Sequence, residues 1–139
     1  VIDFYEEVNG KAFTSKFITI TGSDTDTKLP DDTFDKILML CTYSYLKEPL
    51  SFINDVRKNL KDDGVFYVIN PEIEESEHIK SLREETGWNA STLEKQIDDI
   101  ISCGFSLVRI ARNHDAGEYN EPIIMIFRKT VPDSIKRSN

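Results

Sequence analysis

Apolar residues along this chain fall into short blocks with two different spacings. Residues 36–41, with Ile37, Leu38, Met39, Leu40 and Cys41, and residues 65–69 are near-continuous apolar runs. Such runs predict strands buried on both faces, as in a parallel sheet covered by helices. Residues 17–20, 105–111 and 123–127 are β-branched and aromatic and predict three more strands; residues 1–4 read as the end of another. Between these blocks the period changes. Phe52, Ile53, Val56 and Leu60 stand at helical spacing, with Arg57, Lys58 and Lys61 at the C-terminal end, where cations suit the helix dipole. Leu93, Ile97, Ile100 and Ile101 draw a second helical stripe, preceded by a capping box at Ser91 and Glu94 and closed by Gly104. Residues 73–86 are charged except for Ile73, Ile79 and Leu82, which predicts an exposed helix or lid-like segment ended by Gly87. Residues 6–12 are polar and weakly helical, residues 22–33 have the composition of a loop, and residues 131–139 form a frayed polar tail.

Strands separated by helices pair in parallel through right-handed crossovers. No helical pattern fills residues 112–122, so the last two strands are expected to form an antiparallel hairpin. The predicted class is α/β, one domain over residues 1–130 followed by the tail.

Composition narrows the function classes. A formal net charge of -8 and a pI near 4.8 oppose sequence-independent binding to nucleic-acid phosphates and docking on anionic membranes. A small molecule or a protein is the better partner. Cys41 and Cys103 lie in apolar segments and read as two reduced core thiols of a cytoplasmic protein, with a disulfide as the lesser alternative. No apolar run approaches the ~20 residues that span a bilayer, and no basic-then-apolar leader opens the chain. Asn89 and Ser91 frame a glycosylation sequon that reads as coincidence. The opening at Val1, on a strand end, gives the expectation that the chain is a portion of a longer protein.

The most specific run is Leu29, Pro30, Asp31, Asp32, Thr33, Phe34 and Asp35 with the strand behind it, followed by Leu60, Lys61, Asp62, Asp63, Gly64 and Val65. That order resembles the second half of a class I S-adenosylmethionine-dependent methyltransferase of the type 11/25 kind, and the resemblance runs from residue 1 to about residue 128. It implies a partial Rossmann-like sheet, mostly parallel, ending in an antiparallel hairpin. It also implies S-adenosylmethionine as cofactor. By position Asp3 would accept the ribose hydroxyls, a role that competes with simple helix capping. Gly22, Ser23 and Asp24 resemble the adenine loop. Ser23 takes the acidic position without a gap and Asp24 takes it with a one-residue shift, and Thr25 would supply the backbone contact. Leu40 stands where the family faces the methyl donor.

Residues 40–45 hold no carboxylate, amide or imidazole, so no catalytic base is named. Tyr43 and Tyr45 are candidates for a substrate pocket or, alternatively, for packing against the next helix. Asp26, Asp31 and Asp32 read as solvated turn residues rather than metal ligands, and His78 and His114 as surface residues. Trp88 reads as either a lid or an anchor. None of the six glycines forms the Gly-x-Gly-x-Gly loop that holds the methionine part of the cofactor. The leading expectation is therefore the C-terminal portion of a small-molecule methyltransferase, inactive and unable to hold its cofactor alone. The alternative is a degenerate methyltransferase-like domain that binds proteins, as in the N-terminal domain of the anamorsin family. A further expectation is a homodimer, in which a second copy completes the uncovered sheet edge.

Overall fold

The computed structural model describes residues 18–112 and 122–130. The expectations for residues 1–17, including Asp3, for residues 113–121, including His114, and for the tail lie outside the described residues. In chain order the elements are β1 (Phe34–Leu40), a 3-10 turn (Tyr43–Tyr45), α1 (Pro49–Asn59), β2 (Leu60–Pro71), α2 (Glu77–Thr86), α3 (Leu93–Ser102), β3 (Phe105–Arg112) and β4 (Pro122–Lys129). The four strands make one sheet in the order β1-β2-β4-β3. β1 and β2 pair in parallel, and β4 is antiparallel to both of its neighbours. Three strands thus point one way and β4 runs back between β2 and β3.

Helix α1 starts on a proline, which needs no N–H at that position, and ends with Arg57 and Lys58 in its last turn. Leu60 then passes straight into β2. Phe34 pairs with Leu60 but Lys36 pairs with Val65, so β2 bulges across residues 61–64. A Cβ on Gly64 would lie 2.7 Å from the Leu60 side chain, so a larger residue in the bulge would force Leu60 to move.

Helices α1 and α3 cover one face of the sheet. Ile53, Val56 and Ile100 meet Phe66, Val68, Phe105, Ile123, Met125 and Phe127 in a single core. Phe66 stacks against Phe105 at 5.3 Å between ring centroids, inside the range where aromatic pairs add to area burial. Two buried amides sit at the edge of this core. Asn70 Nδ2 donates to Gln96 Oε1 at 2.8 Å, and Gln96 Nε2 donates to the Ser91 carbonyl at 2.8 Å, tying the end of β2 to the start of α3.

Four expectations change. The run through β1 is buried on one face only among the described residues: Met39 is buried, whereas Leu38 and Leu40 are each 58% exposed. The helices packed on the described sheet all lie on the Met39 side. Residues 18–20 form no strand and Ile18 is 87% exposed, because no described strand offers them a ladder. Cys103 is buried but Cys41 is exposed. The backbone at Cys41 turns left-handed (φ 49) just past β1, with its N–H on the Ile69 carbonyl, which carries the side chain out of the core. Finally, α3 is capped by Thr92, whose hydroxyl accepts from Lys95 N. Ser91 is drawn inward instead, its Oγ donating toward Asn89.

Candidate functional site

The loop of residues 22–33 is held by three devices. Ser23 N donates to the Asp26 carbonyl at 2.7 Å, and a Cβ on Gly22 would lie 2.7 Å from that same oxygen, so glycine permits the tight turn. Lys28 then pairs with Asp26 and holds its carboxyl below the usual carboxylate range. Finally the loop is fastened to α1. Asp55 Oδ2 accepts from Thr27 N at 2.8 Å and from Thr27 Oγ1 at 2.7 Å. The Thr27 hydroxyl also lies 2.8 Å from Asn59 Oδ1, and Asn59 Nδ2 donates to the Leu29 carbonyl at 3.0 Å. The backbone follows, with Asp32 N on the Lys58 carbonyl and Thr33 N on the Asn59 carbonyl.

This fastening opens a cleft of about 520 Å³ between the loop and the end of β1. Gly22, Ser23, Asp24 and Thr27 form its polar rim, and Ile37, Leu38, Met39, Leu46 and Phe52 form its apolar wall. Asp24 is exposed and has Lys47 at 4.0 Å. The Thr25 N–H donates back to Ser23 Oγ at 3.4 Å within the loop.

The remaining sequence candidates separate. Leu38, not Leu40, lines the loop cleft, although the two share one face of the strand; the cleft reaches along β1 only as far as Met39. Tyr43 is fully buried, and its hydroxyl donates to Asp99 Oδ2, which also holds Lys95 at 2.9 Å. Burial, reinforced by Asp99, pushes the Tyr43 phenol well above its ordinary pKa. Tyr45 is 72% exposed and lines the loop cleft. His78 is exposed on α2.

Two more clefts continue the surface. Tyr45 is shared with a middle cleft of about 530 Å³ that also takes in Leu82, Gly87 and Trp88. Trp88 is shared in turn with a third cleft of about 530 Å³ at the carboxyl ends of β2 and β3. Pro71, Glu72, Ile73, Glu74, Ile79, Arg112 and Ile123 complete its lining. The segment carrying Trp88 is pinned. Gly87 ends α2 left-handed (φ 67), and Arg83 forks onto both Glu75 oxygens at 2.7 Å while its Nε donates to the Ala90 carbonyl. This pairing holds the Glu75 carboxyl below its ordinary range.

Asp55 and Asn59 are the supporting residues that sequence reasoning misses. Asn59 carried a signal: it is a buried polar residue on the helix face that also buries Ile53 and Val56.

Residues 2–68 match a family profile described as a methyltransferase domain. A search of curated proteins finds no match. The fold resembles many solved structures. A S-adenosylmethionine-dependent methyltransferase from Aquifex aeolicus aligns with a TM-score of 0.67 at 16% identity, over 93% of this chain and 63% of that one. The [4+2]-cyclase SpnF aligns with a TM-score of 0.70 at 15% identity, over 94% of this chain and 62% of that one. A complex of the Haloferax volcanii Trm112 methyltransferase activator and a methyltransferase gives a TM-score of 0.63 at 13% identity, over 90% and 67%. The chain thus spans less than two thirds of the first two relatives. No helix among the described residues is long and apolar enough to cross a membrane. Strand order and structural likeness agree on a partial Rossmann-like fold of the kind seen in S-adenosylmethionine-dependent methyltransferases, and the first half of the chain resembles a methyltransferase domain.

Proposed function

We propose that the chain contributes the adenine side of an S-adenosylmethionine site in a methyltransferase acting on a small molecule. The observation that carries this reading is the loop cleft, where Ser23 and Asp24 share a rim opposite the apolar end of β1. The cofactor, when bound, supplies an electrophilic methyl group. The chain's residues orient it: Ser23 or Asp24 accepts the adenine amine, Leu38 and Met39 pack on the ring, and Asp3 takes the ribose. Tyr45 stands on the wall toward the acceptor. Transfer of this kind rests on alignment rather than on a base, which suits residues 40–45. Two free thiols suit a reducing cytoplasm.

No glycine of the chain supplies the methionine side, so the 139 residues alone hold the whole cofactor weakly and do not turn over. The test is therefore a fragment of the cofactor. Methylthioadenosine should shift the amide resonances of Gly22, Ser23, Asp24 and Met39, and Ser23→Ala or Asp24→Ala, whichever residue binds the amine, should abolish the shifts. An unperturbed loop at saturating nucleoside defeats the reading. It would favour the alternative of a protein-binding module, which the exposed Leu38 and Leu40 also suit.

A further inference from the structure

The third cleft combines features that the cofactor site does not use. It lies outside the carboxyl ends of β2 and β3, the position where open α/β sheets receive ligands. Its volume of about 530 Å³ is that of a small-molecule pocket. Pro71, Ile73, Ile79 and Ile123 give it an apolar wall, and Trp88 adds an indole. The Trp88 Nε1 is buried with no hydrogen-bond partner among the described residues. What the residue offers the cleft is therefore ring surface rather than a donor. Among the described residues three charged side chains line the cleft, and two are carboxylates. Arg112 is spent on Glu72, with its Nη2 at 3.0 Å from one carboxylate oxygen and 3.4 Å from the other. That pair is neutral, which leaves Glu74 as the net charge among the described lining residues. An indole ring and a carboxylate lining one cleft with an apolar wall attract an organic cation by ring quadrupole and charge.

We propose that this cleft binds an organic ammonium ion, with the cation against Trp88 and Glu74 and its alkyl groups against Ile73 and Ile79. That such a ligand is an amine methyl acceptor rests on the function proposed above; the binding site itself does not.

Trp88 is the only tryptophan, so its emission reports on the cleft. The full chain, without nucleoside, is titrated with choline, with its neutral isostere 3,3-dimethylbutan-1-ol, and with the anionic 3,3-dimethylbutanoate. Binding is followed by fluorescence and by saturation-transfer NMR. Choline should bind saturably and the alcohol about tenfold more weakly. Glu74→Gln, which keeps shape and loses charge, should weaken choline by about fivefold and leave the alcohol unchanged. Its emission in the absence of ligand should match wild type, which guards against misfolding. Equal binding of choline and the alcohol, preference for the anion, or no saturable signal by either method overturns the proposal. Because no nucleoside is present, failure here leaves the methylthioadenosine result standing. Failure of the nucleoside test likewise leaves the cation site standing.

Discussion

Asp55→Ala is the sharpest perturbation of the loop that forms the candidate cofactor site. The carboxylate accepts from both the amide and the hydroxyl of Thr27 in a half-buried setting. Hydrogen bonds to charged groups contribute roughly 1.5–3 kcal/mol each. The hydroxyl keeps Asn59 Oδ1 as a partner at 2.8 Å, so only the amide is left orphaned, and the expected loss is about 2 kcal/mol. In a domain of this size that lowers Tm by about 6 °C. It should also speed hydrogen exchange at the Thr27 amide by about 30-fold, the same free energy read locally. Asp55→Asn, which keeps one acceptor oxygen, should lose about half as much. A double-mutant cycle with Thr27→Val isolates the hydroxyl contribution. Methylthioadenosine should bind the slackened loop several-fold more weakly. If Thr27 exchange and Tm are unchanged in Asp55→Ala, the loop is held by something other than α1 and the reasoning fails.

Two further predictions concern the frame around the site. Tyr43→Phe removes the donor to Asp99 and should cost about 1–2 kcal/mol near neutral pH by urea unfolding. Because the folded phenol has its pKa raised by burial and by Asp99, its contribution is complete below the unfolded value near 10 and is lost as pH rises above it. The wild-type advantage over Tyr43→Phe should therefore shrink in titrations taken above about pH 10; a constant difference would contradict this coupling. Gly64→Ala forces a methyl to within 2.7 Å of the buried Leu60 side chain and should destabilise by about 1–3 kcal/mol. Combining it with Leu60→Ala should give less than the sum of the two single losses, and strict additivity would disprove the clash.

The elements are legible in the sequence because period and punctuation agree. Apolar spacing marks α1 and α3, and Gly87 and Gly104 mark the ends of α2 and α3. What is not legible is decided by partners far along the chain. An unbroken apolar run such as Ile37 to Leu40 records that both faces of a strand are apolar, but not that both are covered, so Leu38 and Leu40 stand open beside a buried Met39. Ser91 and Thr92 are equally good caps by local rules. The choice falls to Thr92 because the Ser91 carbonyl is committed to Gln96, whose other end is held by Asn70 on β2.

The candidate site follows the same logic. Loop composition and family resemblance point at Ser23 and Asp24, the residues that would touch a ligand. They are silent on Asp55 and Asn59, which reach the loop from a helix 28 and 32 residues away. The trace such residues leave is a polar side chain on an otherwise apolar helix face. Burying an amide there costs free energy unless it is hydrogen-bonded, so its presence requires partners. Asn59 finds them in Thr27 and Leu29, both on the loop. Asn70 and Gln96 satisfy each other by the same rule at the other end of the sheet, beneath the segment that carries Trp88. Each of the two outer clefts is therefore backed by a buried amide that the hydrophobic pattern alone would exclude. Replacing the helical amides Asn59 or Gln96 with leucine should keep the helix that carries each and shift the amide resonances of the loop it holds.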